Sequence, residues 1–310
     1  MVYLIEVSNT KETITISEDH IVPELHTPMR LQEYGAGIFM AVPTRSALKK
    51  AIKKAYVKVN GVKASTATII RGGEHINLNI PETDDRHAQL ELPLKVIYED
   101  EYLAVVHKPA GIPVSGNKFK TIAHALPQNL EISTQPDATT PQPVHRLDHP
   151  TTGILLVGKT ASCIRALNTM FAEKQIIKTY FAVTIGEMTP EGITTAAIDH
   201  QPARSDHKVM ASVPSERFGH LNLVRLSPHT GRTHQLRKHM LSIGNPILGD
   251  QTYFHDNLIL KGKGLYLHAW SLRFEHPMTG ETLYLEDPLP QKYKKIFGDA
   301  ALPDKETDTT

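Results

Sequence analysis

The chain of 310 residues is 40% hydrophobic and 22% charged, which is typical of folded globular proteins and excludes a mostly disordered, fibrous or membrane-embedded polypeptide. Its length favours one small module together with one larger domain. Lys and Arg total 34 against 33 Asp and Glu, so the formal net charge of +1 excludes a global attraction to anions, and any such preference must be local.

The first 28 residues are mostly polar after one short apolar run, Val2–Ile5, and indicate a strand or an extended N-terminal arm (1–28). The pattern changes at Met29, where two apolar helical stretches precede Tyr56–Val62, a strand that runs into a turn. This pattern predicts a small α/β module over residues 29–80. Polar and charged residues then indicate a linker over 81–90.

A basic segment lies inside the module, because seven Lys and Arg residues and no acidic residue occur from Arg45 to Lys63. A helix over Ser46–Ala55 would place its apolar side chains on one face: Leu48, Ala51, Ile52 and Ala55. The opposite face would present four lysines: Lys49, Lys50, Lys53 and Lys54. A polyanion bound along these lysines would relieve their mutual repulsion and release counterions. A merely solvated lysine face is the alternative.

A second domain is predicted over residues 91–300, where short strand patterns occur between helical patterns. The predicted strands are Tyr102–His107, Gly153–Lys159, Tyr180–Ile185 and Leu221–Leu226. The predicted helices are Ser162–Phe171 and Thr233–Leu241. This arrangement is typical of an α+β domain with a mixed, largely antiparallel sheet and flanking helices. The charged residues 301–310 predict a flexible tail.

Asp148 is a candidate for chemistry because it lies in a predicted turn just before an apolar strand. Arg146 precedes it, and Pro150 and Gly153 follow it and restrict the loop. A carboxylate at such a position is held on a rigid scaffold and remains accessible to a ligand. An ordinary turn aspartate is the alternative interpretation.

Three further segments carry side chains suited to binding or catalysis. Gly231 precedes a helical pattern that has three cationic side chains near its start: Arg232, His234 and Arg237. Free backbone N–H groups at a helix start favour anions such as phosphate or a carboxylate, although an exposed basic helix is the alternative. Tyr180 lies on an alternating strand, where a core tyrosine is the alternative. Lys108 ends a strand at a turn.

Metal and thiol chemistry are disfavoured. The 17 histidines include no His-Glu-x-x-His run, and His234 and His239 are not at the spacing of a helical zinc pair. Cys163 is the only cysteine, which excludes an intramolecular disulfide, and its apolar helical surroundings argue against a nucleophilic thiol. We expect no metal and no cofactor. Without a leader pattern or a long apolar run, the sequence predicts a cytoplasmic protein that does not contact membranes.

Taken together, these segments resemble the RluA-type pseudouridine synthases. The resemblance is carried by three ordered motifs: Lys108-Pro109-Ala110-Gly111; His145-Arg146-Leu147-Asp148 with Thr151, Thr152 and Gly153; and Gly231-Arg232-Thr233-His234-Gln235-Leu236-Arg237 with Gly249-Asp250. Residues 29–80 resemble the S-four-type RNA-binding domain, which is named for a ribosomal small-subunit protein. The resemblance covers about residues 29–290.

The resemblance implies a cofactor-free isomerisation of uridine in ribosomal or transfer RNA, in which uracil is detached from ribose, turned and rejoined through its carbon 5. Asp148 would be the catalytic carboxylate, either by attacking the anomeric carbon or by assisting loss of a proton from the neighbouring ribose carbon, and both routes stay open. Arg237 would pair with Asp148, and Tyr180 would stack on the extruded base. Leu267 resembles an apolar pocket residue.

The same resemblance assigns the RNA contacts. Arg146 would fill the space that the flipped base vacates, and Arg232 and His234 would contact RNA near the pocket. The module would add the basic residues Arg45, Lys49, Lys50, Lys53 and Lys54. We expect the protein to act as a monomer.

A different class of function is a non-catalytic, RNA-binding ribosome-assembly factor. Asp148, Tyr180 and Arg237 argue against this alternative, because a protein that only binds RNA does not need that combination. Mapping pseudouridine in RNA from a deletion strain separates the two hypotheses, since only an enzyme leaves a missing modification.

Overall fold

The structure is a computed structural model that describes residues 15–25, 27–35, 37–39, 41–42, 44–81, 90–116, 119–255 and 258–298. The chain divides into two compact units between Gln89 and Leu90. Most of the predicted linker (81–90), the first half of the predicted arm (1–28) and the whole predicted tail (301–310) lie outside the described residues. Within the described part of the chain, no helix has the length and apolar character needed to cross a membrane.

The first unit consists of short strands and two helices around a small apolar core. Its strands are β1 (Thr15–Ile21), β2 (Met29–Arg30), β3 (Val57–Val59), β4 (Val62–Lys63), β5 (Ile69–Ile70) and β6 (His75–Pro81), and its helices are α1 (Leu31–Tyr34) and α2 (Arg45–Lys53). Four strands form a sheet in the order β1-β6-β3-β4, and β2 pairs with β5. The strand β1 falls within the residues predicted to form an arm and pairs along the whole of β6.

Helix α2 begins where the side chain of Thr44 accepts a hydrogen bond from the backbone N–H of Ala47, at 3.1 Å. Its apolar face, which includes Leu48 and Ile52, is buried in the core of the first unit. The predicted extension of the helix to Ala55 is wrong. The helix ends at Lys53, and Ala55 adopts a left-handed backbone conformation (φ 59°) with an exposed side chain, because the chain turns there into β3.

The second unit contains ten strands and four helices. Its strands are β7 (Val96–Glu99), β8 (Leu103–Lys108), β9 (Ala138–Pro143), β10 (Thr152–Thr160), β11 (Ile177–Ile185), β12 (Glu191–Thr194), β13 (Ser205–Ser215), β14 (Gly219–Pro228), β15 (Leu267–Glu275) and β16 (Thr282–Glu286). Its helices are α3 (Ile122–Asn129), α4 (Ala161–Ala172), α5 (Gln235–Ser242) and α6 (Gln291–Phe297). The four predicted strands and two predicted helices are confirmed, with their ends shifted by a few residues.

The ten strands form one mixed sheet, which confirms the predicted α+β class. Its main path runs β12-β13-β14-β11-β15-β10-β8-β7, while β16 pairs with β15 and β9 pairs with β10. The β10–β15 pair is parallel, and the other described pairs in this sheet are antiparallel. Strand β15 therefore lies between β10, which follows the Asp148 turn, and β11, which carries Tyr180.

Gly153 permits the close approach of β10 to β15. Its φ is +115°, and a Cβ atom at this position would lie 2.1 Å from the backbone oxygen of Ala269 on β15. No other residue type fits there without separating the two strands. The glycine of the second motif is thus explained by the packing of the sheet centre.

Two apolar clusters cover this sheet. One surrounds β8 and β10 and includes Leu155 and Leu167, and the other surrounds β11 and β14 and includes Phe181 and Trp270. Burying each such side chain stabilises the fold by roughly 1.5–3 kcal/mol. Tyr180 packs against both clusters, so its ring is positioned by the core rather than by a mobile loop.

Candidate active site

Asp148 lies in the turn between β9 and β10, and a buried lysine holds this turn. The Nζ of Lys108, at the end of β8, donates hydrogen bonds to the backbone oxygens of Pro109, His149 and Thr151 at 3.0, 3.2 and 2.8 Å. The backbone N–H of Thr151 donates to the backbone oxygen of Asp148 at 3.0 Å. These bonds therefore fasten the loop at Asp148 and directly after it.

Lys108 is fully buried, although it keeps its polar contacts. Burial lowers the pKa of Lys108 to about 8, against the opposing influence of the negative charge on Asp148. A lysine that is buried at 0% exposure would be costly without hydrogen-bond acceptors. The backbone carbonyl of Pro109 and those of His149 and Thr151 in the Asp148 turn supply them. Lys108 of the first motif thus holds the loop of the second motif, which carries Asp148.

The carboxylate of Asp148 lies close to one guanidinium group and one imidazole ring. Its Oδ2 is 3.5 Å from Nη1 of Arg237, and its Oδ1 is 3.8 Å from Nε2 of His234. The shorter bonds of Arg237 go to a partner that the sequence interpretation did not assign: Nε and Nη2 donate to the two carboxylate oxygens of Asp250 at 2.7 and 2.8 Å. Arg237 is therefore shared between two carboxylates.

Asp250 fixes the guanidinium group in place. Its carboxylate also accepts hydrogen bonds from the backbone N–H groups of Thr252 and Tyr253, at 2.9 and 3.0 Å. Burial alone would raise the pKa of Asp250, but the hydrogen bonds from Arg237 and these amides outweigh burial and hold the pKa below its ordinary value. The ring of Tyr253 lies 4.9 Å from the guanidinium carbon of Arg237, so the cation is also covered by an aromatic face.

Tyr180 projects from β11 into the same cleft as Asp148. It pairs with Leu226 on β14 and with Ala269 on β15. Burial raises the pKa of Tyr180 above its ordinary value, and the negative charge of Asp148 raises it further. The phenol consequently stays protonated near neutral pH and can donate a hydrogen bond.

The segment before α5 is ordered by a glutamine side chain. The Oε1 of Gln235 accepts a hydrogen bond from the N–H of Arg232 at 3.0 Å, and its Nε2 donates to the oxygens of Arg204 and of the Ser205 side chain, both at 2.9 Å. The predicted helix start at Thr233 is wrong by two residues. The helix begins at Gln235 because the preceding residue, His234, is in the left-handed region with φ 57°.

These groups surround a cleft of about 480 Å³ in the second unit. It contains the seven residues of this unit that the sequence predicted for the site: Arg146, Asp148, Tyr180, Arg232, His234, Arg237 and Leu267. Among the residues that the structure describes, Asp148 is the only acidic one that lines the cleft, and the other charged or ionisable groups include Lys174, Lys178 and His229. The cleft is therefore suited to a negatively charged ligand with one carboxylate at its wall.

Two residues differ in their freedom to move toward such a ligand. The guanidinium of Arg146 is exposed and has no hydrogen-bond or ion-pair partner among the described residues. Leu267 is 3% exposed and begins β15, where it packs in the apolar cluster around β11. Arg146 can adapt its position, whereas Leu267 forms part of a rigid wall.

The basic residues that the sequence predicted for RNA binding in the first unit lie at the surface of that unit. Three lysines of α2 and the lysine that directly follows the helix are exposed: Lys49, Lys50, Lys53 and Lys54. Arg45 forms an exposed ion pair with Glu33 at 2.9 Å, so its charge is partly neutralised. The Nζ of Lys54 lies 5.6 Å from the centre of the Tyr56 ring.

Sequence reasoning missed Lys178 and left Lys108, Asp250 and Gln235 without individual roles. Lys178 lies two residues before Tyr180 on β11, and both side chains line the cleft. Because alternate residues of a strand share a face, the position of Lys178 could have been predicted from that of Tyr180. Gln235 bonds to Arg204 across 31 residues and Asp250 bonds to Arg237 across 13, so the spacing of neighbouring residues carried no signal for these pairs.

Other chemistries have weaker support. Cys163 is fully buried in α4, and burial raises the pKa of its thiol to about 12, so the thiol is neither accessible nor ionised. Among the described residues, no group of three His, Cys, Asp or Glu side chains is arranged to hold a metal ion.

Comparisons with known proteins identify the family. A family model described as RNA pseudouridylate synthase matches residues 102–242, which include Asp148, Tyr180 and Arg237. The ribosomal large subunit pseudouridine synthase D of Nitrosomonas europaea is 32% identical over 80% of this chain and 77% of its own length. The ribosomal large subunit pseudouridine synthase C of Pasteurella multocida is 31% identical over 94% of both chains.

Solved structures support the same assignment. Human RNA pseudouridylate synthase domain containing 4 is 26% identical, with a TM-score of 0.52 over 64% of this chain and 90% of its own. Human RNA pseudouridylate synthase domain containing 1 shares the fold, with a TM-score of 0.54 over 67% of this chain. The relatives, the matched family and the fold agree: this chain belongs to the RNA pseudouridine synthases, in their RluA-type branch.

Proposed function

We propose that the chain isomerises uridines of large-subunit ribosomal RNA and that Asp148 is its catalytic carboxylate. The observation that carries this proposal is that, among the described residues, Asp148 is the lone acidic side chain in a cleft that also contains several Arg and Lys side chains and Tyr180. Such a cleft attracts the phosphates of RNA and offers one carboxylate to the ribose of an extruded nucleotide.

The number of available carboxylates supports an isomerase over a hydrolase. Enzymes that hydrolyse glycosidic bonds ordinarily use two carboxylates, one of which activates water or protonates the leaving group. The second acid near this site, Asp250, has a side chain that is 0% exposed and is occupied by Arg237 and two backbone amides. It is not available to activate water, so Asp148 acts alone.

The neighbouring groups support distinct roles in this reaction. Arg237, anchored by Asp250, places its positive charge beside the catalytic carboxylate. The phenol of Tyr180 is positioned to stack on the uracil or to exchange a proton with the ribose. Both chemical routes remain open, namely attack of Asp148 on the anomeric carbon and removal of a proton from the adjacent ribose carbon.

The groups at the edge of the cleft support RNA binding. Arg146, free of intramolecular partners within the described residues, can enter the helical stack in place of the extruded base. Arg232 and His234 precede α5, and their charges can contact phosphates. Leu267 can pack against the base.

Large-subunit ribosomal RNA is the proposed substrate because two relatives of this chain are named ribosomal large subunit pseudouridine synthases. We expect the purified protein to form pseudouridine in transcripts of large-subunit ribosomal RNA and not in transfer RNA or small-subunit ribosomal RNA. Mass spectrometry of nuclease digests measures the product and locates the modified uridine.

Two outcomes would contradict this substrate. Modification of transfer RNA alone would support the proposed reaction but contradict the proposed ribosomal RNA substrate. The absence of pseudouridine in every RNA, together with unchanged modification maps in a deletion strain, would favour the ribosome-assembly alternative. Action in the cytoplasm and as a monomer remain predictions from the sequence.

The first unit is proposed to be an S-four-type RNA-binding domain whose contact surface is the lysine face of α2. The helix contains three exposed lysines and no acidic residue, and the exposed Lys54 directly follows it, which supports a polyanion as partner. Replacing Lys49, Lys50, Lys53 and Lys54 with Gln should weaken RNA binding and reduce the slope of log affinity against log salt by about 3, because each neutralised phosphate contributes about 0.7–0.9. Filter binding across a salt series measures both quantities.

A matched control removes the same charge elsewhere. Four exposed lysines of the second unit lie outside the cleft: Lys120, Lys208, Lys261 and Lys263. Replacing these four with Gln should change the slope much less than the α2 variant does. Equal slopes for the two variants would mean that the α2 lysines are only solvated.

A further inference from the structure

A chain of hydrogen bonds connects Thr152, at the end of the Asp148 loop, through the buried His268 to Asp287, which follows β16. The Oγ1 of Thr152 lies 2.8 Å from Nδ1 of His268, and Nε2 of His268 lies 3.1 Å from the backbone oxygen of Asp287. The carboxylate of Asp287 in turn contacts Nδ1 of His107 and, at 3.2 Å, Nζ of Lys95. None of these residues lines the cleft.

The geometry assigns the proton of His268. Its Nε2 faces a carbonyl oxygen, which can only accept, so Nε2 carries the hydrogen and donates it. Its Nδ1 therefore accepts from the hydroxyl of Thr152. Burial lowers the pKa of His268 to about 4, although the contacts with Asp287 oppose this shift, so the ring is neutral near pH 7.

The position of His268 in the sheet links it to both sides of the site. It pairs with Thr152 across the parallel β10–β15 pair and with Phe181, the neighbour of Tyr180, on β11. The preceding residue, Leu267, lines the cleft, and successive side chains on a strand point to opposite faces. His268 is thus directed away from the substrate and can influence the reaction only through its neighbours.

We propose that His268 is a positioning residue that orients Asp148 through the hydroxyl of Thr152. Lys108 already fastens the loop at His149 and Thr151, and the bond from Thr152 to His268 fixes the point where the loop enters β10. This inference rests on the proposed role of Asp148. A catalytic group displaced by about 1 Å can lose roughly a hundredfold in rate, so loss of this anchor slows the reaction without touching RNA.

Two conservative variants separate this role from simple core packing. The side-chain oxygen of Asn in His268→Asn can occupy the place of Nδ1 and accept from Thr152, whereas the amide of Gln in His268→Gln reaches the place of Nε2 and donates to Asp287. We expect the single-turnover rate to fall about 10- to 100-fold in His268→Gln but only a few-fold in His268→Asn. The RNA dissociation constant should be unchanged in both.

A double-variant test follows the connection to Thr152. Thr152→Val should slow turnover about as much as His268→Gln, and combining the two substitutions should slow it no further, because both break the same hydrogen bond. His276 supplies a matched control, since it is also buried and bonded to Asp100 at 3.0 Å but lies beyond the end of β15. His276→Gln should lower the melting temperature without changing the rate.

The inference is overturned if His268→Asn and His268→Gln react equally fast, if rates simply follow melting temperature across all variants, or if the double variant shows additive losses. Failure of the proposed function has a different signature. In that case Asp148→Asn retains turnover, whereas failure of this inference alone leaves Asp148→Asn inactive and His268→Gln as fast as the native protein.

Discussion

Asp148→Asn is expected to lower pseudouridine formation by about 10⁴-fold or more, because the amide can neither attack the ribose nor accept its proton at a useful rate. RNA affinity should change little, since the substitution keeps the shape of the side chain and leaves the cationic groups of the cleft in place. Single-turnover release of tritium from carbon 5 of labelled uridine measures the reaction, and filter binding measures the affinity.

Asp199→Asn is the matched control for this experiment. Asp199 is an exposed aspartate of the same domain that pairs with Lys238 at 2.9 Å and lies outside the cleft. Its replacement should leave turnover near the native value. Residual turnover of more than a few per cent in Asp148→Asn would mean that another group carries the reaction, and the role assigned to Asp148 would be wrong.

Asp250→Asn is expected to reduce both stability and activity. The side chains of Asp250 and Arg237 are buried, and their two hydrogen bonds hold the guanidinium group against Asp148. Losing one member of a buried pair leaves the other charge uncompensated, which costs about 3–5 kcal/mol in the free energy of unfolding. Turnover should fall because Arg237 no longer has a fixed position beside the catalytic carboxylate.

Urea unfolding of the native protein, Asp250→Asn and Asp199→Asn provides the comparison. Asp199 forms an exposed pair, so its replacement should cost less than about 1 kcal/mol. Equal losses for the two variants would show that the Arg237–Asp250 pair contributes no more than a surface ion pair. Unchanged turnover in Asp250→Asn would show that Arg237 needs no anchor.

The stability difference between the native protein and Asp250→Asn should depend on pH. The pKa of Asp250 lies below its ordinary value of 3.8 in the folded protein, because the bonds from Arg237 and two amides outweigh burial. Ionised Asp250 therefore stabilises the fold above the unfolded pKa, and this contribution is lost as the pH falls through the folded pKa. We expect the difference to be largest near neutral pH and to shrink below about pH 4.

Strand and helix patterns in the sequence were sufficient to predict four of the ten strands and two of the four helices of the second unit. The two-residue period of Tyr180–Ile185 and the apolar run from Gly153 identify buried strands, because side-chain direction alternates along an extended chain. The buried face of α2, which includes Leu48 and Ile52, was likewise predictable from the spacing of neighbouring residues. The end of that helix at Lys53 was not predictable from the pattern, because the left-handed turn at Ala55 depends on how the chain enters β3.

By itself, the sequence determined the class of the fold, the order of the three motifs and the residues that would meet in one cleft. Only the tertiary structure decided the partners of those residues: Asp250 for Arg237, three backbone carbonyls for Lys108 and His268 for Thr152. The physical reason is that most of these contacts join residues separated in the chain, by 116 positions for Thr152 and His268, 43 for Lys108 and Thr151, and 13 for Arg237 and Asp250. Which distant side chains meet depends on strand order and register, and local periodicity contains no information about either.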